Sequence, residues 1–163
     1  MTMFELLLLT TTLLCSLVAG FVYAFAVVIM PGIRKLDDRD YLQAFKVMDR
    51  VIQDNQPLFV IVWAGSILAI IATAVMSLWH LQGIHQTLVM IAAALYILGV
   101  QVPTFTFNVP LNNRLKNIDL HTANEQTLQE LTQAFSARWL PSNTFRTIIA
   151  IATTVLLLAA VGL

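Results

Sequence analysis

The chain has 163 residues, of which 58% are hydrophobic and only 11% are charged. A soluble domain carries about 25% charged residues, so a soluble fold of this composition would lack a polar surface. The net charge is zero and the basic residues form no run, which argues against nucleic-acid binding. The single cysteine, Cys15, excludes an internal disulfide and any paired-cysteine metal or redox motif.

Four apolar stretches divide the sequence, at about 5–30, 57–79, 86–107 and 143–163. A membrane-spanning helix needs about 20 predominantly apolar residues, and each stretch approaches or exceeds that length. The pattern therefore predicts an all-α fold, an integral membrane four-helix bundle that occupies residues 1–163 as a single domain. The two modest connections leave no room for a soluble catalytic domain.

The basic residues predict the orientation of this bundle. Five lie in the first connection, three lie in the third, and Arg146 stands at the start of the fourth span. The second connection and both termini have none. Alternate connections of a four-span protein share a side, and basic connections stay in the cytoplasm. We therefore expect 31–56 and 108–142 to be cytoplasmic and both termini to lie on the non-cytoplasmic side.

The first span carries Glu5 where a cleaved signal peptide would have basic residues, so we expect it to be retained. It should end at Pro31-Gly32, and Asp37 or Asp38 can cap a short amphipathic helix after it. That helix either lies against the inner membrane face or packs on the bundle as a connector. The sequence favours the connector.

The later spans carry their own boundary signals. Pro57 opens the second span, as proline often does at a helix start. In the third, Pro103 should distort the helix, and Gln101 should face the bundle interior because an unsatisfied amide is costly in lipid. His80 and His85, near the second connection, have poor spacing for a shared metal and are read as interfacial residues.

The third connection, 108–142, predicts a second short amphipathic helix. Residues 122–125 fit a capping box, with Thr122 as the cap. An apolar stripe follows at helical spacing and consists of Leu128, Leu131, Phe135 and Trp139. Pro141 should end this helix, after which Ser142 or Asn143 can cap the fourth span.

Several polar residues should meet where the basic connections enter the membrane, and Arg146 is the most informative. It sits at the positive end of its helix dipole and near lipid, so an unpaired charge there is unfavourable. An anionic partner would resolve this, either Asp49, Asp54 or a bound anionic substrate. Alternatively, Arg146 extends to the lipid phosphates.

Asn112 and Asn143 can each donate and accept hydrogen bonds, which suits holding a carbonyl or enolate oxygen. They also suit ordinary capping at the ends of spans. Tyr23 is a candidate proton donor or substrate contact, or an aromatic residue satisfied within the bundle. The sequence predicts no metal site and no cofactor, because the spans lack inward histidines.

Several segments together resemble the anthrone oxygenase-like family of small four-span membrane proteins. The resemblance covers nearly the whole chain and rests on residues 19–25, 30–33, 42–50, 108–112 and 135–147. The Asn-Val-Pro-Leu-Asn segment at 108–112 and the Trp139, Asn143, Arg146 pattern are specific in combination. Some members of that family oxidise anthrones to anthraquinones.

The resemblance implies a cofactor-independent oxygenase acting on an anthrone-like hydrophobic aromatic. Its pattern carries over to Pro31, Arg50, Asn112, Trp139, Asn143 and Arg146. Asp49 stands where the family commonly has asparagine, and residues 54–57 are longer than the usual Asn-Pro. In this hypothesis Asp49 is the base, while Asn112, Asn143 and Arg146 are the catalytic residues that hold the oxyanion. Trp139 and Tyr23 flank the substrate ring, and Arg50 completes the substrate-binding set.

The alternative is a non-catalytic membrane protein that binds a lipid or another hydrophobic molecule, or that assists a partner complex. The first connection and the Leu128–Trp139 stripe would then be docking faces. Membrane lipids are expected partners in either case, and a homo-oligomer or a membrane partner protein remains open. A transporter is disfavoured because neither an inverted repeat nor a pair of broken helices is evident.

Overall fold

The structure is a computed structural model that describes residues 1–162. These residues form five helices and no strand: α1 (Met3–Ile33), α2 (Asp38–Gln53), α3 (Pro57–His80), α4 (Gly83–Lys116) and α5 (Glu125–Gly162). All except α2 are long and apolar enough to cross a membrane. The predicted all-α class is confirmed, and the four predicted spans correspond to these four long apolar helices. Leu163, the end of the fourth predicted span, lies outside the described residues.

The four long helices pack in a ring around a shared apolar core. α1 contacts α3 on one side and α5 on the other, while α4 contacts α5 along its length and α3 over its first half. Cys15, Tyr96 and Leu157 are completely buried in this core. Side-chain packing is the main source of helix association in lipid, because lipid tails are as apolar as leucine.

Three π-helical turns interrupt the spans: Phe25–Ile29 in α1, and Tyr96–Gln101 and Thr104–Asn108 in α4. Each turn ends two residues before a proline, namely Pro31, Pro103 or Pro110. Proline lacks an N–H group and its ring clashes with the carbonyl four residues earlier, so the helix locally adopts wider pairing. The predicted distortion of the third span is therefore confirmed.

Gln101 lies in the second of these turns and is buried, as expected from its polarity. Its side-chain oxygen accepts a hydrogen bond from Trp63 Nε1 at 3.0 Å. Two further polar contacts join the spans: the hydroxyls of Thr11 and Thr73 lie 2.7 Å apart, and those of Ser66 and Tyr96 lie 2.6 Å apart. These contacts satisfy polar groups that lipid cannot, although within the described residues Gln101 Nε2 has no partner.

α2 is a connector that packs on α5, which confirms the preferred interpretation of the first connection. Asp37 caps it by accepting a hydrogen bond from the Asp40 backbone N–H at 2.8 Å. The ring of Phe45 lies 4.7 Å from that of Phe135 and 5.2 Å from that of Trp139, measured between centroids. The two faces considered as docking surfaces are therefore buried against each other.

The boundaries of the fourth span differ from the prediction. α5 runs without a break through Pro141, so this residue does not end a helix and neither Ser142 nor Asn143 is a cap. Membrane helices tolerate proline where neighbouring groups and local adjustments compensate for the lost backbone bond, and Pro141 lies on the exposed side of α5. The third connection consequently contains no separate helix, only residues 117–124 between α4 and α5.

The N-terminal cap of α5 is also not the one predicted from the Thr122 motif. The Asn124 side-chain oxygen accepts a hydrogen bond from the Thr127 backbone N–H at 2.8 Å, whereas the Thr122 hydroxyl donates to the Asp119 carbonyl.

The first and third connections meet at one end of the bundle, where Lys46 Nζ donates to the Ile118 carbonyl at 2.6 Å. We call this the basic end.

Gly99 sets the separation between α4 and α5. A Cβ atom at this position would lie 2.7 Å from Cγ2 of Ile149, a β-branched side chain with little rotamer freedom. Gly99→Ala should therefore destabilise the protein by about 1–3 kcal/mol, the usual effect of overpacking. Thermal unfolding in detergent measures this.

Gly65→Ala is the matched control, since its Cβ would make an ordinary 3.5 Å contact with Leu14 and alanine favours helix. Ile149→Ala in the Gly99→Ala background should recover part of the loss. Equal melting temperatures for Gly99→Ala and Gly65→Ala would contradict the proposed role of Gly99.

Candidate functional site

A cavity of about 220 Å³ lies near the basic end, where α2 covers the ends of the four spans. All five helices contribute to its wall, which is mostly apolar. The aromatic part consists of Phe21, Phe25, Phe45, Phe59, Trp63, Phe105 and Trp139. The ring centroid of Trp139 lies 5.8 Å from that of Phe25, and Phe59 stacks on Trp63 at 5.3 Å. The cavity therefore suits a hydrophobic, ring-containing molecule.

Most of the polar part of the wall comes from two helix faces, and Asp49 and Gln53 on α2 complete it. Thr104, Asn108 and Asn112 are four residues apart on α4, and Asn143 and Arg146 are three apart on α5. Residues three and four apart share a helix face, so each helix presents one polar stripe to the cavity. A few convergent polar groups in an apolar cavity are typical of a ligand-binding site.

Arg146 is buried in this wall, with 5% of its surface exposed. Nη1 donates to the Thr104 hydroxyl at 2.8 Å and Nη2 donates to the Asn143 side-chain oxygen at 2.8 Å. Asn143 is held in turn by a hydrogen bond from its Nδ2 to the Val22 carbonyl at 3.1 Å. The guanidinium is thus fixed by two neutral groups, and its Nε–H has no partner within the described residues.

The prediction that Asp49 or Asp54 pairs with Arg146 is wrong. Across residues 1–162 the ion pairs do not include Arg146. Asp54 instead pairs with Arg50, at 3.5 Å between Nε and Oδ2. The reason is local, because Arg50 and Asp54 are one helical turn apart and both are exposed. Arg146 therefore keeps a buried positive charge without a protein anion, and the third predicted partner, a bound anionic ligand, remains open.

Asn108 supplies a second unpartnered donor to the same wall. Its side-chain oxygen accepts a hydrogen bond from the Ser142 hydroxyl at 2.6 Å, which orients the amide. The side chain is 2% exposed, and within the described residues Nδ2 has no partner. A buried donor without a partner is unfavourable by about 1–3 kcal/mol. Both free N–H groups would be satisfied by an oxygen of a molecule in the cavity.

Asp49 lies at the boundary between the cavity and a polar cleft at the basic end. One carboxylate oxygen accepts a hydrogen bond from Asn112 Nδ2 at 2.7 Å, and the other accepts from Gln53 Nε2. Trp139 Nε1 donates to the Asn112 oxygen at 2.9 Å. These four side chains form one hydrogen-bonded chain, and Asp49 retains only 7% exposure.

Burial dominates the protonation behaviour of Asp49. Removal from water raises the pKa of its carboxyl group, an effect that the hydrogen bonds from Asn112 and Gln53 and the charge of Lys116 only partly offset. A carboxylate with a raised pKa is a stronger base than an exposed aspartate. Asp49 is therefore suited to accepting a proton from a weakly acidic molecule.

Five of the seven predicted site residues line this cavity: Asp49, Asn112, Trp139, Asn143 and Arg146. The structure does not bring Tyr23 or Arg50 to it. Tyr23 is half exposed on the outer side of α1, next to Val22, which does line the cavity. Arg50 follows Asp49 but points to the polar cleft and to Asp54. Neighbouring residues on a helix point about 100° apart, so proximity in sequence did not imply a shared face.

The sequence interpretation missed four polar members of the wall, Gln53, Thr104, Asn108 and Asn113. Asn108 entered only as part of a motif and was assigned no role. The signal was present in the four-residue spacing from Thr104 through Asn108 to Asn112, which places all three on one helix face. The aromatic wall had no comparable signal, because phenylalanine in a span is equally compatible with lipid contact.

The cavity is open on one side. Phe105 and Val109 line it and are also 57% and 37% exposed on the outer surface of α4. Phe59, on α3, also lines the cavity and is half-buried, and the polar Asn113, one turn beyond Val109, is the third exposed residue of the lining. We call the part of the lining formed by Phe59, Phe105 and Val109 the side opening. In the part of the chain that the structure describes, no group of three histidine, cysteine or acidic side chains is placed to hold a metal ion.

Asp49 should make the stability of the protein depend on pH. Its pKa is raised in the folded state above the ordinary value of 3.8, so its contribution is most favourable below that value and is lost as the pH rises through the folded pKa. The melting temperature of the native protein, relative to that of Asp49→Asn, should therefore fall as the pH rises above about 4, by about 2–4 °C for each kcal/mol of stability that is lost.

Asp40→Asn, which removes an exposed carboxyl group from the same helix, controls for the loss of one charge. A melting temperature of the native protein that rises, relative to that of Asp49→Asn, with increasing pH would contradict the inferred burial. Circular dichroism in detergent at several pH values provides the measurement.

Comparison with known proteins agrees with this geometry. A family model described as "Anthrone oxygenase" matches residues 45–156, a segment that contains α3, α4, most of α2 and most of α5. No curated protein and no solved structure matches the chain. The matched segment is more than half of the sequence and includes every polar residue of the cavity wall. The chain therefore belongs to the anthrone oxygenase family.

Proposed function

We propose that the protein is a membrane-embedded, cofactor-independent oxygenase of an anthrone-like aromatic. The observation that carries the proposal is the pair of buried, unpartnered donors, Arg146 Nε and Asn108 Nδ2, in the wall of an aromatic cavity. An anthrone is a flat hydrophobic molecule with a ketone oxygen and an acidic C–H group. Loss of that proton places negative charge on the oxygen, which is the charge that these donors would stabilise.

Asp49 is the proposed base. It is the acidic residue of the cavity wall, and its raised pKa strengthens it as a proton acceptor. Its two hydrogen bonds, from Asn112 and Gln53, hold the carboxylate in place. Asn112 acts here as a positioning residue, because its own polar atoms are engaged by Asp49 and Trp139.

The chemistry balances without a further reductant. The base removes one proton from the CH₂ carbon, and the resulting electron-rich enolate reduces molecular oxygen and combines with it to form a hydroperoxide. Loss of water from the hydroperoxide leaves a second carbonyl, so substrate and O₂ give quinone and H₂O. Asp49 returns its proton to the outer peroxide oxygen, then removes the second proton of the same carbon as the O–O bond breaks, and that proton completes the water that leaves. The protein supplies the proton transfer and the oxyanion contacts.

The size of the cavity limits the fit. A cavity of about 150 Å³ holds a single benzene ring, whereas this one measures about 220 Å³. A three-ring substrate would therefore place its reacting ring against the polar wall and extend its remaining rings toward the side opening.

We also propose, from the distribution of basic residues, that the basic end is cytoplasmic and that both termini lie on the other side of the membrane.

The decisive test is oxygen uptake by the purified protein with a simple anthrone, above the spontaneous rate. Arg146→Gln and Asn108→Ala should each lower kcat by about 10²–10³, as loss of an oxyanion donor does. Asp49→Asn should lower it by about 10²–10⁴, the range for a general base.

Arg138→Gln and Asp40→Asn are matched controls, since both residues are exposed and lie on the same helices as Arg146 and Asp49. Their rates should equal that of the native protein. Full turnover in folded Arg146→Gln and Asn108→Ala would refute the site assignment. Tight anthrone binding without any oxygen uptake would refute the enzyme and support the alternative, a protein that binds a hydrophobic molecule.

A further inference from the structure

The residues of the side opening belong to two helices, α3 and α4, that are long and apolar enough to cross a membrane. The exposed surfaces of Phe105 and Val109 are apolar, and neighbouring exposed residues such as Leu58 and Ile61 are apolar too. The polar Asn113 lies one turn beyond Val109, toward the basic end. The apolar part of the opening is therefore suited to contact with acyl chains.

The course of α4 accounts for the opening. α3 packs against the first half of α4, up to the point where Trp63 donates to Gln101. Beyond that point α4 contains Pro103 and Pro110 together with two π-helical turns. Prolines and π-helical turns bend helices, and the second half of α4 follows α5 and α2 rather than α3. The gap between Phe59 and Phe105 is the result.

Hydrogen-bonded side chains stand between the cavity and the basic end. A polar cleft of about 610 Å³ lies there, and Phe45, Asp49, Gln53 and Asn112 line both it and the cavity. The hydrogen bonds from Gln53 and Asn112 to Asp49 cross this boundary, and Phe45 packs on Trp139 beside them. A molecule arriving from the cleft would have to break the contacts that hold Asp49.

We infer that the cavity is loaded sideways from the bilayer, through the side opening, by an apolar molecule dissolved among the acyl chains. The hydrogen-bonded chain around Asp49 separates that molecule from water at the basic end. That the molecule is a substrate rests on the proposed function, whereas the route itself follows from the geometry of the cavity.

Tryptophan fluorescence tests the route without requiring turnover. In a Trp79→Phe protein the remaining tryptophans, Trp63 and Trp139, both line the cavity. Reconstituted in phosphatidylcholine vesicles, their emission should be quenched by a bromoalkane dissolved in the bilayer and little affected by iodide in water. Because Trp79 is highly exposed, its replacement should leave the fold intact.

Val109→Phe should narrow the side opening and reduce bromoalkane quenching at least twofold. Val102→Phe is the matched control, the same substitution on the exposed surface of α4 at a residue that does not line the cavity. Its quenching should equal that of the parent. Equal quenching in the Val109→Phe and Val102→Phe proteins, or stronger quenching by iodide than by the bromoalkane, would overturn the inference.

The proposed function fails independently of this result. Bilayer-dependent quenching that Val109→Phe reduces, in a protein that consumes no oxygen with anthrone, would leave the side opening established and remove only the oxygenase. Turnover that is insensitive to Val109→Phe, together with unchanged quenching, would support the oxygenase and remove only the side opening as the route of entry.

Discussion

The site depends on one unfavourable arrangement, a guanidinium buried in a membrane span without a protein anion beside it. Thr104 and Asn143 hold Arg146 through neutral hydrogen bonds, so its position is fixed while its charge is not neutralised. A cation in a medium of low dielectric attracts a negative oxygen far more strongly than it would in water. The unpartnered Nε of Arg146 and Nδ2 of Asn108 belong to residues of the same wall. These features support the proposed ligand, which becomes anionic after it has entered.

The prolines connect this electrostatic feature to the fold. Pro103 and Pro110 force wider helical turns in α4, and the segment between them carries Thr104 and Asn108 to the cavity. The same distortion separates α4 from α3 and leaves the side opening. On the opposite side, α2 covers the cavity with Phe45 and Asp49. A single set of backbone irregularities thus contributes to both the polar wall and the side opening, and π-helical turns are often found at functional sites.

The sequence predicted the long apolar helices, the connector helix and five candidate residues that line one cavity, because each rests on a local rule. Apolar length identified the spans, Asp37 marked the start of α2, and the unusual polarity of Arg146 singled it out. The errors arose where tertiary contacts override local signals. Pro141 did not stop α5, and Arg146 found Thr104 rather than an aspartate. Tyr23 was predicted to lie in the site from its position along the span alone. The side of α1 on which it lies decides what it contacts, and that side faces away from the cavity. The side opening depends on how two helices diverge, for which one sequence contains no rule.

The most direct test of the account is the ionisation of a bound ligand, since the central claim concerns stabilisation of a negative oxygen. A hydroxyanthraquinone changes its visible absorption when its phenolic oxygen loses a proton, so the pH of half-ionisation can be measured in the detergent-solubilised protein. The account predicts that this pH falls by at least one unit on binding, relative to protein-free micelles, and returns toward the micelle value in Asn108→Ala and Arg146→Gln. An unchanged or raised pH of half-ionisation in the native protein would show that the cavity does not stabilise an oxyanion and would contradict the account.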